Sequence, residues 1–183
     1  LSFELAPDSR RVVYRMAQRM YSAQLDGGAA FPLDAASASI DTYDITPDSL
    51  LLVVKANYER PWQELHAAPL DGSVPMRRIS PDLALGTSIE DYQLMPDRQA
   101  GLFVATPAGS ARLELFEFGF AGFVPRRLSA SLPTDGQISR GYDITPDGGT
   151  VLIRVDGGSQ AGYHAIERAS GRSVLVTRVT GFL

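Results

Sequence analysis

Residues 43–54 read YDITPDSLLLVV and residues 142–153 read YDITPDGGTVLI. A six-residue identity, Tyr-Asp-Ile-Thr-Pro-Asp, inside 183 residues points to internal repetition before it points to an active site. Two looser copies complete the series, FELAPD at 3–8 and YQLMPD at 92–97. The Pro-Asp pairs begin at 7, 47, 96 and 146, so the spacings are 40, 49 and 50 residues. Those periods suit propeller blades and are too long for leucine-rich or ankyrin-type units.

Working outward from each pair, an aromatic and an aliphatic residue alternate ahead of it: Phe3 and Leu5, Tyr43 and Ile45, Tyr92 and Leu94, Tyr142 and Ile144. Period two is the signature of a half-buried strand. Proline presets its own backbone angle and the Asp carboxylate accepts a backbone amide two residues on, so Asp8, Asp48, Asp97 and Asp147 read as structural turn residues. An apolar run follows each turn: RVVYRM at 11–16, LLLVVKA at 50–56, AGLFVAT at 100–106 and TVLIRV at 150–155. Runs this short and this rich in β-branched residues predict central strands buried on both faces.

Third strands are expected at 20–26, 62–69, 112–118 and 162–168, and most are followed by glycine turns such as Asp26-Gly27-Gly28. Fourth strands are expected at 29–34, 74–80, 124–130 and 172–179. Proline inside the first three of these cannot donate to a ladder and marks edge strands. The chain thus reads as all-β, with four-stranded antiparallel units near 1–40, 41–90, 91–140 and 141–183 forming a single domain over 1–183. Longer polar connections fall at 80–91 and 129–141.

Bulk composition narrows the function classes. A formal net charge of -4, with arginine pairs scattered among acids, gives no basic footprint for nucleic acid. The absence of cysteine removes disulfides, thiolate metal sites and a cysteine nucleophile. No apolar run approaches the roughly 18 residues of a membrane helix. The N-terminal stretch LSFELAPDSRR has no signal-peptide design and no initiator Met, which leads us to expect a mature product or an excised piece.

The units resemble PD40 repeats, the WD40-like propeller repeats typified by the TolB propeller and found also in propellers of prolyl-oligopeptidase-type peptidases. Pro7-Asp8, Pro47-Asp48, Pro96-Asp97 and Pro146-Asp147 carry the resemblance, with Arg-Arg-Ile-Ser at 77–80 and Arg-Arg-Leu-Ser at 126–129. It covers nearly the whole chain and implies a β-propeller of four-stranded antiparallel blades. It also implies a periplasmic or extracellular setting. The glycine that the family favours after Pro-Asp is kept only at Gly148; Ser9, Ser49 and Arg98 stand in its place, which predicts less regular turns there. Because the chain starts on a first strand and stops after a fourth, no strand is left for interlocking ring closure. We therefore expect an arc of a larger propeller, with an exposed edge and blade face.

Antiparallel order gathers the connections between units and those between second and third strands on one face. Loops of this kind carry binding residues. The most suggestive is NYERPW, where Asn57, Tyr58, Arg60 and Trp62 combine residue types typical of binding hot spots. Equivalent positions in successive blades lie far apart, so the four repeated aspartates cannot share an ion, and neither a metal nor a cofactor is expected. Ser159 within Asp156–Gly162 lacks the final glycine of a nucleophile elbow, since Ala161 occupies it, and its context is a hairpin. His66 and His164 hold equivalent third-strand places and read as structural.

The leading expectation is a non-enzymatic protein- or peptide-binding or scaffold module. Its partners would be a protein or peptide on the loop face, with edge-to-edge self-association or remaining blades of a longer chain as further contacts. Nucleic acid and membrane insertion are not expected. Two alternatives share the fold: the regulatory propeller of a prolyl-oligopeptidase-type serine peptidase, and a hydrolase or lyase with its site in a central channel. The channel reading needs polar residues on first strands, where Asp44, Gln93 and Asp143 stand.

Overall fold

A computed structural model describes residues 2–34, 38–95, 100–120 and 124–179. Among them, the regular elements are strands and one 3-10 turn at Ser129–Ser131. Blade 1 comprises β1 (Ser2–Leu5), β2 (Arg11–Met16), β3 (Arg19–Gln24) and β4 (Phe31–Pro32). Blade 2 comprises β5 (Ile40–Ile45), β6 (Leu51–Ala56), β7 (Glu64–Pro69) and β8 (Arg77–Arg78). Blade 3 comprises β9 (Asp91–Leu94), β10 (Ala100–Ala105), β11 (Glu114–Gly119) and β12 (Pro125–Arg127). Blade 4 comprises β13 (Gln137–Ile144), β14 (Thr150–Asp156), β15 (Gly162–Glu167) and β16 (Ser173–Arg178). In every blade the four strands lie side by side in chain order and pair antiparallel. The chain divides into two compact units, Leu1–Ser80 with blades 1 and 2, and Pro81–Leu183 with blades 3 and 4.

The registers superimpose. Phe3, Tyr14 and Tyr21 are aligned across blade 1, as are Tyr43, Val54 and His66 across blade 2. Tyr92, Phe103 and Phe116 form the same row in blade 3, and Tyr142, Ile153 and His164 in blade 4. Burial of the central strands is less uniform than the apolar runs predict. β10 is buried throughout, whereas β14 alternates because Val151, Ile153 and Val155 face the core shared with blade 3 and the intervening residues do not. In β2 only Val13 is buried, on the side that packs against blade 2.

Each unit has one core between its two blades. In the first, Val13 and Met20 of blade 1 pack with Ile45, Leu52, Val54 and Ala56 of blade 2. In the second, Leu102, Val104 and Leu115 of blade 3 pack with Val151, Ile153 and Val155 of blade 4. A Cβ on Gly101 would sit 2.3 Å from the Phe118 ring, so glycine is what lets that ring lie across β10. The outer strands β4 and β8 are two residues long, and Pro32 and Pro125 lie within β4 and β12. Proline and brevity both blunt a sheet edge.

Two expectations need correction. The stretch at 137–141 belongs to β13, not to a connection; a register shift between Ile138 and Tyr142 carries the strand through a segment whose polar sequence shows no alternation. The turns at Ser9 and Ser49 are also regular: their φ values of 58° and 63° match the 70° of Gly148, so the backbone keeps its shape and the serines bear the left-handed conformation.

Candidate functional site

The loop between β6 and β7 is fastened at its start. The Asn57 side-chain oxygen accepts the Ser39 amide at 2.6 Å. Tyr58 donates its hydroxyl to Asp34 at 2.8 Å and sets its ring edge-on to His66, with centroids 4.9 Å apart. Burial, reinforced by the bond to Asp34 and its negative charge, raises the Tyr58 pKa well above the ordinary phenol range, so this hydroxyl remains a donor. Farther along, the Arg60 guanidinium lies 5.7 Å from the centroid of the Trp62 ring and 3.7 Å from Glu64. The structure thus gives Asn57 and Tyr58 the task of tying the loop to Ser39 and Asp34, and pairs Arg60 with Trp62 at the half-buried end of the loop.

Beneath this loop lies a recurring polar clasp. Glu64, at the start of β7, is buried and paired to Arg78 of β8 at 3.0 Å. In blade 3 the corresponding Glu114 is held by Arg112 at 3.2 Å, by Arg127 at 3.1 Å and by the Ser129 hydroxyl. Ser129 also accepts the Leu115 amide at 3.1 Å. This is the physical task of the repeated Arg-Arg-Ile-Ser and Arg-Arg-Leu-Ser: the second arginine neutralises a buried third-strand glutamate. Blade 1 reverses the charges, with Arg19 on β3 and Asp34 after β4, 3.1 Å apart. His66 lies two residues beyond Glu64; burial lowers its pKa to about 4, with Glu59 opposing that shift and Arg78 adding to it, so the ring is neutral at pH 7.

Asp8, Asp48 and Asp147 each accept the backbone amide two residues on, from Arg10, Leu50 and Gly149, at 2.9–3.0 Å. Asp48 and Asp147 also accept the preceding threonine hydroxyl at 2.6 Å. Asp97 lies outside the described residues. A cleft of about 670 Å³ opens among these turns in the first unit, between Asp8–Arg11, Gln24–Asp26, Ser49–Leu51 and Pro69–Asp71. Ser159 is tied through its amide to Asp135 at 2.7 Å, and His164 Nε2 lies 2.9 Å from the Gln160 carbonyl oxygen. Among the described residues no three His, Asp or Glu side chains converge as a metal site requires, and no helix is long and apolar enough to cross a membrane.

Asp44, Gln93 and Asp143 are exposed on their first strands. Sequence reasoning overlooked the fourth member of that row, Glu4, which stands after Phe3 as Asp44 stands after Tyr43. Burial raises the Glu4 pKa, a bond from the Ile45 backbone lowers it, and the charge of Asp44 raises it further, so the two acids sense each other across blades 1 and 2. The signal was available in the aromatic-x-aliphatic frame itself, where the middle residue is acidic in three copies of four.

No protein-family model and no curated protein sequence matches the chain. Solved structures do. A protein assigned as TolB from Agrobacterium tumefaciens matches over 97% of this chain and 61% of its own, at 15% identity and a TM-score of 0.58. TolB from Acinetobacter baumannii matches over 99% of this chain and 44% of its own, at 17% identity and a TM-score of 0.54. The dihydro-heme d1 dehydrogenase NirN matches over 99% of this chain and 37% of its own, at 16% identity and a TM-score of 0.56. The chain therefore spans less than two thirds of each of these structures. At such identities the likeness is one of fold, and with the four antiparallel sheets it makes this chain an all-β protein of TolB-like propeller blades.

Proposed function

We propose that these blades form a non-enzymatic binding or scaffold module that docks a protein or peptide on the end of blade 2 carrying the Asn57–Trp62 loop. The observation that supports it is the Arg60–Trp62 pair, set on a loop whose base is already tied down by Asn57 and Tyr58. Arginine and tryptophan are the anchors that dominate protein interfaces, and a pre-ordered loop loses little freedom when it binds. The coverage of the longer TolB structures supports reading the chain as part of a larger propeller.

The test is a selection of random displayed peptides on the immobilised chain, followed by affinity measurements on those recovered. Arg60→Gln, which leaves Trp62 in place and Arg78 to neutralise Glu64, is expected to weaken binding at least about tenfold with little change in the melting temperature. Failure to enrich any peptide, or equal affinity in the variant, would discard this site. A channel enzyme is the second reading, supported by the proximity of Glu4 and Asp44. It predicts turnover of a small substrate that Glu4→Gln abolishes.

A further inference from the structure

The seam between packed blades, at the end that carries the Pro-Asp turns, is built differently in the two units. Register fixes the equivalences: Ser22 and Phe31 in blade 1 stand where Glu117 and Arg126 stand in blade 3. Leu70 after β7 stands where Arg168 stands after β15, and their amides donate to the equivalent carbonyls of Leu50 and Gly149. In the second unit charged side chains bridge the seam. Glu117 accepts Arg168 at 2.7 Å and Arg126 at 3.2 Å, and Arg126 also donates to the Ala169 carbonyl at 3.2 Å.

In the first unit all three of those positions are uncharged, and the seam is the cleft of about 670 Å³. Both of its walls belong to that unit, and its frame is fixed. Ser22 donates to the Leu70 carbonyl at 2.7 Å, and Ser49 accepts the Asp8 amide at 2.9 Å. Phe31 lies so near Gly72 that a Cβ there would sit 2.5 Å from the ring. A guanidinium enters from Arg11 of β2, at the register of Ala100 in blade 3. It lies 5.8 Å from the centroid of the Phe31 ring and 3.5 Å from the Ser22 hydroxyl, and among the described residues it pairs with no carboxylate. The acids of the lining have turn tasks instead: Asp8 accepts the Arg10 amide at 3.0 Å and Asp71 the Ser73 amide at 2.9 Å. Across the cleft Leu50 is 63% exposed. Blade 4 has Gly149 at that place, so the turn itself requires no side chain there.

We propose that this cleft binds a short stretch of peptide carrying one carboxylate beside an aliphatic side chain, the carboxylate on Arg11 and the aliphatic group on Leu50. The bound carboxylate does for Arg11 what Glu117 does for the seam arginines of the second unit. A half-buried guanidinium, stacked on an aromatic ring, makes strong charge-assisted bonds to such a group. The volume lies within the roughly 300–1,000 Å³ of small-ligand sites. Asp8, Asp26 and Asp71 in the lining repel a second negative charge, which selects a single carboxylate over a phosphate or a polyanion. The site lies at the opposite end of β6 from the Asn57–Trp62 loop and is independent of the binding proposed there.

Two probes present the same chemistry from different sources: an N-capped tripeptide ending in leucine with a free C-terminal carboxyl, and a tripeptide capped at both ends with glutamate beside leucine. The C-terminal amide of the first is the neutral control. Titration followed by amide NMR shifts is expected to give a dissociation constant of about 1 mM or tighter for at least one acid probe, and the probe that binds identifies the source as chain end or side chain. The shifts are expected to centre on residues 49–51 and 70–71, and the neutral control is expected to bind about tenfold more weakly. Arg11→Gln is expected to weaken the acid probe about tenfold and to bring it level with the control, whereas Arg11→Lys keeps the charge and retains part of the affinity. Leu50→Ser, at an exposed turn position, is expected to cost about fivefold with an unchanged circular-dichroism spectrum. The proposal is overturned if neither acid probe binds, if the neutral control binds as well, if Arg11→Gln and Leu50→Ser leave affinity unaltered, or if the shifts fall on the Asn57–Trp62 loop instead.

Discussion

Ser9, Ser49 and Gly148 occupy one position in three blades and share one left-handed backbone conformation, with φ between 58° and 70°. For an L residue with a side chain that conformation costs about 1–2 kcal/mol, a cost glycine avoids at the expense of some chain entropy. Ser9 is exposed, and its side chain has no task that the geometry requires. Ser9→Gly is therefore expected to stabilise the protein by about 0.5–1 kcal/mol in urea denaturation. Ser49 differs, because its hydroxyl accepts the Asp8 amide at 2.9 Å and so joins the turns of blades 1 and 2. A destabilised Ser9→Gly variant would mean that the strain argument fails at this turn.

At the scale of the strand, the centre of each third strand can be compared across blades: Tyr21, His66, Phe116 and His164 stand in register. Burial holds His66 neutral, with its pKa lowered from 6.5 to about 4. Between those values the unfolded chain takes up a proton that the folded chain refuses. Stability falls as pH drops through that window, by up to about 3 kcal/mol. His66→Phe installs the residue that blade 3 uses and keeps an aromatic edge for Tyr58. It is expected to flatten the pH dependence between 6.5 and 4, read by denaturant unfolding at pH 7.5 and pH 5. An unaltered slope would assign the titration to another group. Strand positions were largely legible, since β2 and β10 begin where the apolar runs begin. β13 was not, because five of its residues at 137–141 include one buried aliphatic, Ile138, and no alternation.

The scale of the whole molecule adds what no single blade contains. Glu4 and Asp44 are far apart in sequence, and packing blade 1 on blade 2 brings their charges within reach of each other. Burial first, and then Asp44, raise the Glu4 pKa against the lowering bond from Ile45. A carboxyl whose folded pKa is raised contributes stability that is fully present below the ordinary value of 4.5 and lost as pH rises through the folded value. Glu4→Gln is accordingly expected to raise the melting temperature at pH 7, with the gain shrinking as pH falls toward about 4. A gain independent of pH would show that the acid's charge is not the cause.

The sequence by itself determined the repeat, the four-stranded unit, the turn chemistry of the Pro-Asp pairs and the edge character of the proline-bearing strands. All of these follow from interactions between residues close in the chain, where alternation and fixed backbone angles speak directly. Tertiary structure alone decided which face of each blade is covered, that Asp34 anchors Tyr58, that the second arginine of the repeated pair neutralises a buried glutamate, and that the charge of Asp44 reaches Glu4. Those are contacts across tens of residues, set by how one twisted sheet packs on the next, and local periodicity carries no record of them.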